Sequence, residues 1–178
     1  MKSLLITTGV FAPDIGGPAS YARALGTRLA ADGISVAVVT YYSVRRHPSD
    51  AALPFRVYRV WAWWPWGVRH LLFLFRTLLC ARRADGILTL NAVSVGVAAL
   101  WAARLTRKPL VLRVAGDYAW EIAVQTGATH LLLDEFQRSK KSYRVRRLDR
   151  IQRSVARRAA LVITPSRYLA GVVAGWGV

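Results

Sequence analysis

Short apolar runs alternate with longer helix-like segments along the whole chain, and that alternation limits the fold more than any other feature. SLLITT (3–8) is followed by PASYARALGTRLAAD (18–32), ISVAVVTYY (34–42), FRVYRV (55–60), HLLFLFRTLLCARR (70–83), GILTL (86–90), VSVGVAALWAARLTR (93–107) and PLVLRVA (109–115). A basic helix around SYRVRRLDRIQRSVARR (142–158), the run ALVITP (160–165) and a last helix from Ser166 complete the series. Strands separated by helices across short connections form βαβ units, whose crossovers make the sheet parallel and cover both of its faces. The expected fold is therefore α/β: a doubly wound, Rossmann-like domain with a mostly parallel sheet and helices on both faces. No repeat or low-complexity linker divides the 178 residues. That length buries one good core and falls short of two ordinary domains, so residues 1–178 are read as a single domain. The chain stops at GWGV just after a helix, a natural place for one domain to end and another to begin.

Ligands of such sheets bind at the carboxyl ends of the strands. The first loop there, GVFAPDIGGPASYARAL (9–25), carries a double glycine before Pro18. Gly16 and Gly17 are expected to allow positive φ and a close ligand approach, and Pro18 in the first helical turn gives up a donor that would be unpaired anyway. The helix N-terminus so formed attracts phosphate, although a tight turn without a ligand uses the same glycines. The chain has no GxGxxG and no GxxxxGK[ST], which disfavours a dinucleotide dehydrogenase and a P-loop NTPase.

Other polar candidates fall at the same edge. Asn91 follows GILTL, where it either meets a ligand or caps the next helix. Of the nine acids, Asp117, Glu121, Asp134 and Glu135 fall after PLVLRVA. Asp134 and Glu135 read best as helix-start acids and ion pairs, whereas Asp117 and Glu121 are candidates for hydrogen bonds to hydroxyl groups of a ligand. Tyr118 and Trp120 are placed to stack on a ligand ring or to be buried.

Charge and hydropathy define the partners. Twenty-six Lys and Arg against nine acids give +17, which admits nucleic acid, acidic lipid and phosphorylated substrates. No helix-turn-helix, RRM or zinc module is recognisable, and the aromatics gather in one loop, so no nucleic acid is expected. That loop, WAWWPWGVRH, places Trp63, Trp64 and Trp66 as membrane-interface anchors, with Pro65 keeping it irregular. The helix after it reads as a core helix, since VRHLLFLFRTLLCARR (68–83) is broken by Arg76 and is shorter than the roughly 20 residues that span a bilayer. Leu148, Ile151 and Val155 make a narrow stripe on a solvated outer helix, with attraction to anionic lipid as a second reading. Cys80 is the only cysteine, which rules out an internal disulfide and suits a reducing compartment. The N-terminal run lacks a small-residue cleavage site and is read as a strand, which favours the cytoplasm, with a peripheral position on the inner face of the membrane.

Three motifs in order, FAPDIGGPASYARAL, RVAGDYAWE and AALVITPSRYLAGVVAGWGV, resemble the N-terminal half of family-4 retaining glycosyltransferases. The resemblance implies one half of a GT-B fold, in which two Rossmann-like domains face each other across a cleft. It further implies that Gly16 and Gly17 lie against the nucleotide diphosphate of a sugar donor, that the acceptor sits mostly on this half, and that no metal or other cofactor is needed. A C-terminal donor-binding domain is the missing partner. Many members carry a histidine before the Gly-Asp of the second motif; here Ala115 stands there, which leaves Asp117 as the catalytic candidate. The function expected is the acceptor-side domain of a nucleotide-sugar-dependent glycosyltransferase acting on a sugar or lipid-linked acceptor in glycan biosynthesis at the membrane. The alternative is a non-catalytic subunit that recruits a separate donor-domain protein.

Overall fold

Every residue of the strand GILT and all but the first of SLLITT are buried, which only the centre of a sheet covered on both faces achieves. The computed structural model describes residues 2–42 and 48–178. Its six strands are β1 (Ser3–Thr8), β2 (Ser35–Tyr42), β3 (Arg56–Trp61), β4 (Gly86–Thr89), β5 (Leu110–Arg113) and β6 (Leu161–Ile163), in the spatial order β3-β2-β1-β4-β5-β6. All five pairings are parallel. The sheet is all-parallel and doubly wound, and its strand order reverses between β1 and β4.

Alternation along β1 divides the core. Leu4 and Ile6 pack with Ala22 of α1 (Gly17–Ala31) and with Phe55, while Leu5 packs with Phe73 of α2 (Trp66–Ala81). On that second face α3 (Gly96–Thr106), α6 (Tyr143–Ala156) and α7 (Arg167–Ala174) add Leu100, Val155 and Leu169, and Trp176 closes the layer. Each large apolar side chain buried in this way contributes roughly 1.5–3 kcal/mol of transfer free energy. Gly33, at φ 78, ends α1: its N–H donates to Ala30 and the Ile34 N–H to Leu29. This left-handed glycine turn brings the chain back into β2.

Three segments differ from the sequence reading. α2 starts at Trp66, one turn before His70, because Pro65 precedes the helix as its N-cap and needs no partner for a missing N–H. The β5–α6 connection contains two further helices, α4 (Tyr118–Gln125) and α5 (Leu133–Arg138). The buried stripe of α6 runs through Val145, Asp149, Gln152, Val155 and Ala156, while Leu148 and Ile151 are half-buried at its margin. The stripe escaped notice because two of its members are polar.

Gly96 opens α3 where a Cβ would stand 2.7 Å from the Asn91 carbonyl oxygen and 3.3 Å from Val155 Cγ1. Backbone cannot yield as a flexible side chain does, so Gly96→Ala should destabilise the chain by about 1–3 kcal/mol in urea unfolding. An unchanged midpoint would show that the β4–α3 turn has slack.

Candidate functional site

β1, β2 and β4 end around a crevice of about 330 Å³, at the point where the strand order reverses. Its walls come from Thr8, Gly9 and Val10 after β1, Tyr41 in β2, Ala62 after β3, Arg69 and His70 of α2, Asn91 and Ser94 after β4, and Tyr118 after β5. Pro18 of α1 completes it. In an open parallel sheet this crevice is where ligands bind, because adjacent crossovers leave on opposite faces.

The loop below it is held from β3. The Arg59 side chain, almost wholly buried, pairs with Asp50 at 2.7 Å, donates to the Ala12 carbonyl and stacks over Tyr42. This anchors the β1–α1 loop, so the start of α1 has a fixed place. Gly16 has φ 170, which is extended backbone, and Gly17 also lacks a positive φ. The expectation of positive φ is therefore corrected: neither glycine adopts it. A Cβ on Gly17 would meet nothing within 4 Å, and one on Gly16 only ordinary contacts. The α1 N-terminus is open to an approaching group.

Tyr41 and His70 form the polar wall. The Tyr41 hydroxyl lies 2.8 Å from His70 Nδ1. Burial pushes the Tyr41 hydroxyl well above its ordinary range, so it keeps its proton. Burial, and then the Arg69 guanidinium, hold the His70 imidazole below its usual value. In the tautomer in which the Tyr41 hydroxyl donates to Nδ1, the neutral His70 carries its proton on Nε2 and presents it as a donor. The Trp66 ring lies 4.8 Å from the imidazole, edge to face. Asn91 Oδ1 accepts from Val93 N and Ser94 N at 2.8 Å each, so the side chain shapes the turn into α3 while it lines the crevice.

Asp117 is placed differently from the sequence reading. Its carboxylate was expected at the cleft, yet the residue is completely buried and does not line the crevice. Oδ1 accepts from Trp120 N at 3.0 Å and Gln152 Nε2 at 2.8 Å, and Oδ2 accepts from Gln137 Nε2 at 2.8 Å. Asp117 thus caps α4 and binds α5 and α6 to it, which sets Tyr118 beside the crevice. The network continues through Asp149 to Lys141 and Arg153. Trp120 is likewise occupied: its indole N–H donates to the Leu131 carbonyl, and its ring packs on Ala119, Ala123, Phe136 and Val145. Glu121 folds back over Gly116, where a Cβ would collide with its carboxylate. Desolvation, and then the Asp117 charge, raise its pKa. Of the sequence candidates, Asn91 and Tyr118 share the crevice; Gly16 and Gly17 directly precede its lining residue Pro18 without lining it themselves; Asp117, Trp120 and Glu121 do not line it.

Arg69, His70 and Tyr41 were missed. Starting α2 at His70 left its first turn without a position, and Tyr41 read as a strand residue. Among the described residues no three His, Cys, Asp or Glu side chains are grouped to hold a metal. Trp63 and Trp66 are exposed, as is Trp64, whose ring meets Trp61 edge to face.

A parallel doubly wound sheet with a crevice at its reversal point defines a Rossmann-like class of domain. The glycosyl transferase 4-like domain matches residues 16–178, and the chain belongs to that family. Among solved structures, HepE of Anabaena in complex with UDP has 17% identity and a TM-score of 0.59, covering 99% of this chain and 41% of that one. The same protein with UDP and glucose has 18% identity and a TM-score of 0.62 over 99% and 41%. At these identities the likeness is one of fold, that of GT-B proteins, and the chain spans about two-fifths of their length. No curated protein matches.

Two predictions follow from this geometry. Asp117→Ala leaves the buried Gln152 amide, the half-buried Gln137 amide and a helix N–H without this acceptor, so it should cost about 3 kcal/mol in urea unfolding. A cost under about 1 kcal/mol would show that water replaces the carboxylate. For His70 the folded pKa lies below the unfolded one, so the unfolded state binds the extra proton. The stability this gives is complete above the unfolded value, about 6.5, and is lost as pH falls through the folded value. His70→Gln should flatten the fall in stability on the acid side, and an imidazole that titrates at or above its ordinary value by NMR would contradict the assignment.

Proposed function

We propose that this chain is the acceptor-side domain of a retaining, nucleotide-sugar-dependent glycosyltransferase, working with a donor-binding domain outside the chain. The observation that carries this reading is the crevice at the β1/β4 reversal, walled by the hydrogen-bonding groups of Tyr41, His70, Asn91 and Tyr118 with Arg69 beside them, and bordered by the N-terminus of α1 at Pro18. The family membership and the solved complexes of HepE with UDP and glucose support it.

The parts divide the chemistry. The open N–H groups of α1 beside Gly16 and Gly17 favour the diphosphate of the donor as negative charge leaves the sugar. Arg69 adds positive charge at the crevice wall. His70, Asn91 and Tyr118 hold acceptor hydroxyls: His70 through Nε2, Asn91 through an amide nitrogen that has no partner among the described residues, and Tyr118 through its hydroxyl. Asp117 is a positioning residue in this account, acting through α4 on Tyr118. The acceptor is a sugar, free or lipid-linked, in glycan biosynthesis at the cytoplasmic side of a membrane. Isolated, the chain supplies one wall of the reaction, and one wall gives neither the alignment nor the charge stabilisation that transfer needs.

Gly17→Val tests the placement. Because the added side chain meets no neighbour, the melting temperature should hardly move, whereas UDP affinity in the complete protein should fall about tenfold or more through obstruction at the helix start. Unaltered UDP affinity with unaltered folding would remove the diphosphate from this loop. The isolated chain should release no UDP from UDP-glucose; measured turnover would show that it is a whole active site.

A further inference from the structure

α2 turns Phe73, Thr77 and Ala81 toward the sheet, which leaves Leu71 and Phe75 on its opposite side. They are 67% and 59% exposed. α3 beside it does the same: Ala99 and Ala103 face inward, while Trp101 and Leu105 are 50% and 63% exposed. The two helices pack against each other in one layer, so their outward faces join. Trp63 and Trp66 are exposed just before and at the start of α2. Soluble domains rarely expose so large a contiguous apolar patch without something that covers it.

Charge identifies the cover. From Ala51 to Gly116 the single acid is Asp85, against ten Lys and Arg. Asp85 accepts from Lys2 N and Ser3 N beside the start of β1, at the far end of the sheet from the crevice. Arg104 stands 5.9 Å over the exposed Trp101 ring, and the exposed Arg76 stacks over Tyr58 of β3 at the side of α2. Arg83 and Arg107 are exposed at the C-terminal ends of the same helices. A second copy would bring these like charges together across a two-fold contact. A domain closing over the crevice would approach the carboxyl edge of the sheet, whereas this surface faces outward from the helical layer. Indole rings, aliphatic side chains and arginines without acids match the boundary of an anionic bilayer, in which the rings sit at the headgroups and the arginines meet lipid phosphates. No helix of the described residues is long and apolar enough to cross a membrane.

We propose that the outward faces of α2 and α3, with the Trp63–Trp66 loop, dock the protein on an anionic lipid surface. The surface is wider than the tryptophan loop and includes helix positions that sequence alone assigned to the core. Trp66 touches His70 of the crevice, so docking sets the crevice beside the lipid headgroups. An acceptor with a sugar head and a lipid tail then enters without leaving the bilayer. This last step rests on the glycosyltransferase reading; the docking itself does not.

The test is partitioning of the chain onto vesicles of phosphatidylcholine alone and of phosphatidylcholine with phosphatidylglycerol in equal parts. Binding should be strong on the anionic vesicles, weak on the neutral ones and reduced by added salt. Lipids brominated along the acyl chain should quench the tryptophan fluorescence of the bound protein. Leu71, Phe75, Trp101 and Leu105 changed together to Ser should lower partitioning ~100-fold or more while far-UV circular dichroism stays unchanged. Absence of binding, binding without quenching, or a folded serine variant that binds undiminished each overturns the proposal. So does a lipid-free dimer that the serine variant dissociates, since a second copy then covers the face. Should the variant fail to fold, quenching in the unaltered protein decides. None of these failures touches the sugar-transfer reading, which the Gly17→Val affinity tests separately.

Discussion

The reversal of strand order between β1 and β4 is the constraint from which the rest of the structure follows. Both strands are buried on both faces, so every crossover must lie over the sheet, and right-handed crossovers leaving in opposite senses open a gap between neighbouring carboxyl ends. Thr8, Gly9, Asn91 and Ser94 line the crevice because Thr8 ends β1 and the other three follow β1 and β4. Gly9 packs closely on the facing loop: a Cβ there would lie 3.0 Å from Ser94 Oγ, so that side chain would have to yield. The site is thus a consequence of how the sheet is wound.

A second constraint sits behind the crevice. After β5 the chain makes three helices before returning as β6, and nothing in a sheet pattern fixes short helices such as α4 and α5. The buried Asp117 carboxylate does so, with donors from Trp120, Gln137 and Gln152. A buried carboxylate is tolerated when its oxygens are satisfied, and its hydrogen bonds then specify one arrangement. Gln152 also accepts from Ala119 N, and Arg153 donates to Gln137, so the same residues order α4, α5 and α6 together. The acid that looked most available for chemistry holds the wall that carries Tyr118.

The sheet and its parallel sense were legible because they depend on local pattern: β-rich runs that form strands of three to eight residues, with helices between them. The family was legible in the motifs of that loop and of RVAGDYAWE. The Asp117 network was not, since its partners lie 20 and 35 residues away and Gln152 stood in a helix taken as a solvated arginine face. Tyr41 and His70 were illegible for a similar reason: 29 residues separate them, and their contact exists only once α2 is docked on the sheet. Trp120 shows the limit from the other side, because a tryptophan after a strand predicts a ring near the edge and leaves open whether its N–H already has a partner.

The central claim is that the crevice and the start of α1 together form the acceptor side of a sugar-transfer site. The most direct measurement is a crystal structure of the complete protein with a nucleotide diphosphate and an acceptor sugar. The account predicts the diphosphate against Gly16 and Gly17, with a sugar hydroxyl in hydrogen-bond reach of His70 Nε2 or the Asn91 amide. A diphosphate bound away from α1, with the crevice filled by neither ligand, would contradict it.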